Sequence, residues 1–158
     1  MRLTDRGFSL TELIIVLAVF GIVAAIASPS FSSYRDNVHL REAVRQISGD
    51  MGLCRQRAVA ENMQYKITFD AQTMTYSISR KPVPVNIWTT VATGIPICAG
   101  KRAIVFSKNP SFSGGVSSVT FHPRGTSGLG SLTLKHERTG RRMTLTTTIT
   151  GRIRISKN

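Results

Sequence analysis

Near its C-terminus the chain reads Thr150-Gly151-Arg152-Ile153-Arg154-Ile155. In an extended strand residues two apart share a face, so Arg152 and Arg154 fall side by side while Ile153 and Ile155 turn to a core. A guanidinium pair suits phosphate diesters, because each group offers a planar fork of donors. Lys101-Arg102, Lys135, Arg138, Arg141-Arg142 and Lys157 add charge from nearby turns and strand ends. From Ala99 to the end, eleven Lys or Arg stand against one acid, Glu137, a net +10; the rest of the 158 residues supplies only +3 of the total +13. Such an asymmetry points to a polyanionic partner, nucleic acid or an acidic membrane face, with a solvated basic surface as the alternative. Phosphate contacts carry no base information, so any duplex would be bound without regard to sequence.

Other chemistry is not encoded in a readable way. His39, His122 and His136 lie in unrelated contexts, with no second ligand at metal spacing. The glycine-rich run Pro123 to Gly130 lacks the Gly-Lys-Ser/Thr ending of a phosphate loop and reads as a strand connection. No enzyme, metal or cofactor is expected. Cys54 and Cys98 lie 44 residues apart without CxxC or Cys/His spacing. Export would permit a disulfide between them, worth about 3–4 kcal/mol by loop closure. Two separately buried thiols are the other reading.

The elements that must carry these residues begin with an unusual N-terminus. Twenty almost wholly apolar residues, Phe8 to Ala27, contain one acid, Glu12. As a helix they would reach about 30 Å, the thickness of a bilayer's hydrocarbon core. Arg2 and Arg6 favour an inside N-terminus, leaving the bulk of the chain outside the cytoplasm. A secretory signal is the alternative, with Ala24 to Ala27 as its cleavage site. Glu12 argues against it, because an acid in that apolar core costs roughly 3 kcal/mol.

Beyond Ser30 the pattern stays helical to about Asn62, with Leu40, Val44, Ile47, Met51, Cys54 and Ala58 lining one face. Gly49 and Gly52 weaken that helix and are read as places for close approach of a strand. After Asn62 the period becomes two. Tyr65–Phe69 and Met74–Ser79 form a hairpin about Asp70 to Gln72, an irregular stretch surrounds Trp88, and five short strands follow: 103–106, 118–121, 131–134, 143–146 and 152–155. Thr139-Gly140 marks a tight turn between two of them.

Arg6-Gly7-Phe8-Ser9-Leu10-Thr11-Glu12-Leu13 resembles the class III leader of type IV pilins and type II secretion pseudopilins. That resemblance implies a prepilin peptidase cut between Gly7 and Phe8, N-methylation of Phe8, and a role for Glu12 in pairing with an N-terminal amine during filament assembly. It also implies that Gly21 and Pro29 bound a helical segment able to lose regular hydrogen bonding in a filament. The later stretch Phe121-His122-Pro123-Arg124-Gly125, Gly128 to Leu134 and the ending 150–155 are similar to the GspH/FimT branch of minor pilins. The helix motif of that branch is matched at Arg55, Ala58 and Asn62 but lacks its acid.

The implied fold is α+β and pilin-like. A long N-terminal helix, apolar and membrane-spanning in its first half and amphipathic in its second, packs on an antiparallel β-sheet or β-sandwich domain. The implied organisation is a cleaved leader over 1–7, an assembly helix over 8–29 and a periplasmic or extracellular domain over 30–158. Implied partners are other pilins of one filament, the prepilin peptidase, the inner membrane before assembly and, for FimT-type members, double-stranded DNA. The implied location is the inner membrane, single-pass, then the pilus at the cell surface. DNA contacts carry over to Gly151, Arg152 and Arg154, with Lys101, Arg102, Arg141, Arg142 and Lys157 in support. The competing expectation is a FimU- or GspH-like structural (pseudo)pilin that primes filament assembly without binding DNA.

Overall fold

Among the described residues the helical and two-residue periods of the sequence are realised as one helix and eight strands. The structure, a computed structural model, describes residues 9–82, 84–98, 103–113 and 115–157, with the side chains of 26–33 left out. Helix α1 is Leu10–Ala60. The strands are β1 Gln64–Asp70, β2 Thr75–Lys81, β3 Thr89–Pro96, β4 Ile104–Phe112, β5 Ser118–Phe121, β6 Gly130–His136, β7 Arg142–Thr147 and β8 Ile153–Lys157. Two units divide the chain at Arg35.

In the first unit the helix carries Leu10, Leu13, Ile14, Ile15, Leu17, Phe20 and Ile22 exposed, on all sides of its axis. A helix apolar all round is built for lipid or for other helices. Among the described residues no helix is long and apolar enough to cross a membrane. The apolar run of the sequence starts at Phe8, before those residues, and the described side chains stop at residue 25. The expected cleavage site, Gly7 and Phe8, lies outside the described residues.

In the second unit two four-stranded antiparallel sheets, ordered β3-β2-β1-β5 and β4-β6-β7-β8, enclose the core with the end of α1. Every residue of the expected helical stripe, Leu40 through Ala58, is buried, together with Ala43. The inward positions of the strands, including Tyr65, Ile67, Phe69, Val119, Phe121, Leu132, Leu134 and Leu145, complete that core. Polar groups beside the stripe fasten the helix. The Tyr76 hydroxyl donates to the Asp50 carboxylate, and the Gln46 amide donates to Tyr76 Oη and to the Pro96 carbonyl, each at 3.2 Å. The helix ends where Asn62 takes φ 51°, with Met63 N–H donating to the Ala58 carbonyl at 3.2 Å. That left-handed cap suits Asn, whose short polar side chain tolerates it.

Three expectations are corrected. A strand, β3, occupies much of the stretch after Trp88 that reads as irregular. Gly49 and Gly52 serve no close approach, since a Cβ at either would meet nothing within 4 Å. Ile155 faces inward opposite buried Leu145, but it lies on an edge strand and remains 42% exposed.

Cys54 lies in the core, and Cys98 packs half-buried against the same cluster. Burial, reinforced by the Asp50 charge and opposed by Arg57, pushes the Cys54 thiol up to about 12. Its ordinary value of 9.0 is thereby raised, so the stability of the neutral thiol is complete below pH 9.0 and is lost as pH rises through about 12. In the reduced, folded chain Cys54 is expected to resist iodoacetamide at about pH 8 and to react on unfolding, because only the thiolate attacks. Prompt modification in the native state, followed by mass spectrometry, would place Cys54 at the surface.

Candidate nucleic-acid interface

The β4-β6-β7-β8 sheet turns its second face away from the core. Strand alternation places Ser131, Thr133 and Lys135 of β6 and Arg142, Thr144 and Thr146 of β7 on that face, between buried neighbours. Register aligns them in rows. Lys135 opposes Arg142; Lys108, Thr133, Thr144 and Ser156 follow one another across four strands; Ser111, Ser131, Thr146 and Arg154 do the same. Thr133 and Thr144 share a hydroxyl hydrogen bond of 2.9 Å. None of the four strands contains Asp or Glu. A like-charge pair directly opposed across two strands is destabilising by itself. Lys135 against Arg142 is therefore a feature that an anion would relieve.

Arg152 is placed differently. It is exposed, precedes β8, and borders a cleft of about 450 Å³ with Gly52, Arg55, Val59 and Gly151. The loop 148–152 that carries it is closed on itself. Gly151 N–H donates to the Thr148 carbonyl at 2.8 Å, Thr148 N–H donates to the Arg152 carbonyl at 3.0 Å, and Arg152 N–H donates to Thr148 Oγ1 at 3.2 Å. Ser127, in the connection between β5 and β6, ties in from below. Its hydroxyl donates to the Thr148 carbonyl at 3.0 Å and its N–H to the Ile149 carbonyl at 3.0 Å. From the helix, Arg55 Nε donates to the Gly125 carbonyl at 3.0 Å and its terminal nitrogen to the Thr150 carbonyl at 3.3 Å.

Gly151 makes this arrangement fit. Its φ is +73°, and a Cβ there would meet the Gly125 carbonyl oxygen at 2.1 Å and Arg55 Nε at 2.6 Å. The glycine of the Gly-Arg-x-Arg stretch thus shapes the loop, and the glycine-rich connection read as a strand link is the shelf on which that loop rests. Arg55 was not legible as a positioning residue, since its carbonyl partners lie 70 and 95 residues away.

The remaining cations divide. Arg138 leaves the set expected to offer charge, because two of its guanidinium nitrogens donate to one oxygen of Asp36, Oδ2, with Nε at 2.7 Å. Desolvation works against that carboxylate, but the Arg138 hydrogen bond and the charges of His136, Arg138 and His39 hold it below its usual range. His136 is buried beside it, Nε2 3.6 Å from Asp36 Oδ1. Arg141, Arg142 and Lys157 are exposed around a smaller cleft. Lys101 and Arg102 lie outside the described residues. Among the described residues no group of His, Cys, Asp and Glu could hold a metal ion.

Helix, paired antiparallel sheets and N-terminal motif together define a type IV pilin-like protein. Residues 2–28 match the prokaryotic N-terminal methylation motif. Residues 43–151 match the family of the type II transport protein GspH, and the chain belongs to that family. Among curated proteins, fimbrial protein EcpC of Eikenella corrodens is 28% identical over 133 residues, 83% of this chain and 81% of that protein. A fimbrial protein of Moraxella nonliquefaciens is 27% identical over 127 residues, 79% of this chain and 70% of its own length. The minor pseudopilin EpsH of the Vibrio cholerae type 2 secretion system shares the fold, with TM-score 0.59 at 11% identity, over 75% of this chain and 97% of EpsH. The type IV minor pilin FimU of Pseudomonas aeruginosa does so with TM-score 0.54 at 14% identity, over 78% and 92%. The methylation motif and family make this a membrane-anchored and then pilus-associated chain that associates with other pilins.

Proposed function

We propose that this minor pilin binds extracellular double-stranded DNA without sequence preference, as a filament component serving DNA uptake in natural transformation. What supports the reading is the outer face of β6, β7 and β8, where Lys135, Arg142 and Arg154 alternate with hydroxyls and no strand of the sheet carries an acid. Arg152 adds a separate exposed cation beside the helix-lined cleft, on a loop held by hydrogen bonds, so little ordering entropy is spent on contact. Guanidinium, ammonium and hydroxyl donors all suit phosphate oxygens, and a flat sheet face enters no groove deeply. Lys101 and Arg102 are proposed to add to it.

The test is a binding titration of the full-length chain in neutral detergent against circular duplex DNA at several salt concentrations. Neutralising four to six phosphates gives a log–log slope of about −0.9 per contact. Absence of binding at low salt would overturn the reading and leave the structural (pseudo)pilin alternative, with GspH- or FimU-like priming of a filament.

The N-terminal part is proposed to be processed between Gly7 and Phe8 by a prepilin peptidase, with Phe8 methylated and residues 8–29 spanning the inner membrane once before assembly. Residues 30–158 then form the exported domain, in which Cys54 and Cys98 are available for a disulfide. Glu12 stands in the first turn of α1, where the helix dipole favours an acid. A paired charge in an apolar bundle sets register at lower cost than an unpaired one. Glu12→Val is therefore expected to insert in the membrane normally and to enter filaments poorly, read by immunoblot of sheared pili. Undiminished incorporation would refute the pairing.

A further inference from the structure

A second concavity lies toward the other end of β7 and β8 from the Arg152 loop. Arg41 of α1, Arg141 and Arg142 at the start of β7, and Lys157 of β8 ring a cleft of about 180 Å³ whose floor is Leu40 and Met143, with Asn37 at its edge. Leu40 and Met143 are buried, and the four cations are exposed. Among the described residues no carboxylate lines the cleft. Of the acids on the same helix, Asp36 is paired with Arg138 and Glu42 with His39 at 3.4 Å. Among the described residues the side chains of the four cations have no hydrogen bond or ion pair.

Four positive charges from three elements repel one another unless an anion stands among them. A sheet face can meet a phosphodiester from one side, but a recess between helix and sheet admits a group that ends there. A terminal phosphomonoester carries nearly two charges at neutral pH and three strong acceptor oxygens, which suits a ring of two or three guanidinium forks and an ammonium. Its sugar would lie over the apolar floor.

We infer that the Arg41–Arg141–Arg142–Lys157 cleft is a site for a terminal phosphate, the 5′ end of a DNA strand. The inference rests on the proposed DNA binding only for the source of that phosphate. It adds an end-recognising site to a face that reads the backbone. Arg41 belongs to the cleft alone, being on the helix and off the β6–β8 face.

The test compares short blunt duplexes carrying 5′-phosphate or 5′-hydroxyl, bound by the full-length chain in neutral detergent and followed by fluorescence anisotropy. The phosphorylated duplex should bind about tenfold more tightly, roughly 1.4 kcal/mol. Arg41→Gln should erase that preference while leaving affinity for circular duplex, which has no ends, unchanged within about twofold. Inorganic phosphate should compete for the preference and leave circular binding untouched. Equal affinity for the two ends overturns the site even where circular DNA binds well, whereas loss of circular binding with the end preference intact overturns only the backbone reading. If inorganic phosphate binds with Arg41 dependence but the two ends bind alike, the site takes a free oxyanion and the DNA-end assignment falls. If neither probe binds and Arg41→Gln instead weakens co-fractionation with pili, the cleft receives a carboxylate of a neighbouring subunit and the inference is wrong.

Discussion

Replacing Arg152 and Arg154 together by Gln is expected to lower the affinity of the full-length chain for circular duplex DNA by about thirtyfold at moderate salt. Each phosphate contact removed should also flatten the log–log salt dependence by about one unit, so the double variant should lose close to two. Both side chains are exposed, one before β8 and one on its outer face, and neither is part of the core. The fold should therefore survive, and an unchanged thermal transition is the control. The slope is the informative readout, because a partly unfolded protein would lose affinity without a matching integer change. Unaltered affinity and slope in a folded double variant would remove these arginines from the interface. In cells the same variant should keep normal piliation and lose transformation; loss of both together would point to an assembly role.

Gly151→Ala is expected to be the most damaging single small substitution in the loop. Two costs coincide there. A left-handed φ of +73° penalises any Cβ by about 1 kcal/mol. The new methyl would also stand 2.1 Å from a backbone carbonyl oxygen, and backbone cannot swing aside as a flexible side chain can. The loop must lift off Gly125, breaking the Arg55 hydrogen bonds that run to Gly125 and Thr150. The combined loss is estimated at about 3 kcal/mol. Chemical denaturation should show it as a shifted midpoint. DNA affinity should fall as well, although no cation has been removed. Gly140→Ala is the useful comparison, because its φ of +68° is similar while nothing lies within 4 Å of its Cβ position. It should cost only the backbone penalty. Equal damage from both substitutions would show that close approach at Gly151 is unimportant.

Local pattern made much of this molecule readable, and distance in sequence hid the rest. The helical stripe from Leu40 to Ala58 is legible because 3.6-residue periodicity is a property of contiguous residues. The same holds for alternation in β1, β2, β6 and β7. Strand β3 escaped because it lies at the edge of its sheet, is largely exposed, and contains Gly94 and Pro96. It therefore shows no alternation of buried and exposed residues. Strand β4 runs beyond the expected end at Phe106 through Lys108, Asn109 and Pro110, with register shifts that an unpaired sequence cannot announce. Spacing and type singled out Arg152 and Arg154, but the strand begins at Ile153, so Arg152 lies in the preceding loop and not beside Arg154 within β8. The opposition of Lys135 to Arg142, the hydroxyl rows beside them and the anchoring of the Arg152 loop by Arg55 depend on register and long-range packing. None of these is written in any window of a dozen residues.

The Arg55 bridge has a mechanical consequence. If DNA is held there as proposed, a pull on it would put the Arg152 loop under tension. Were that loop held only by β8, an edge strand paired on one side to β7, the load would unzip one ladder bond at a time. Arg55 instead joins the loop backbone directly to the part of α1 that packs in the core. The pull then passes from loop to helix in parallel with the sheet. The domain would be expected to yield first elsewhere than at its point of attachment.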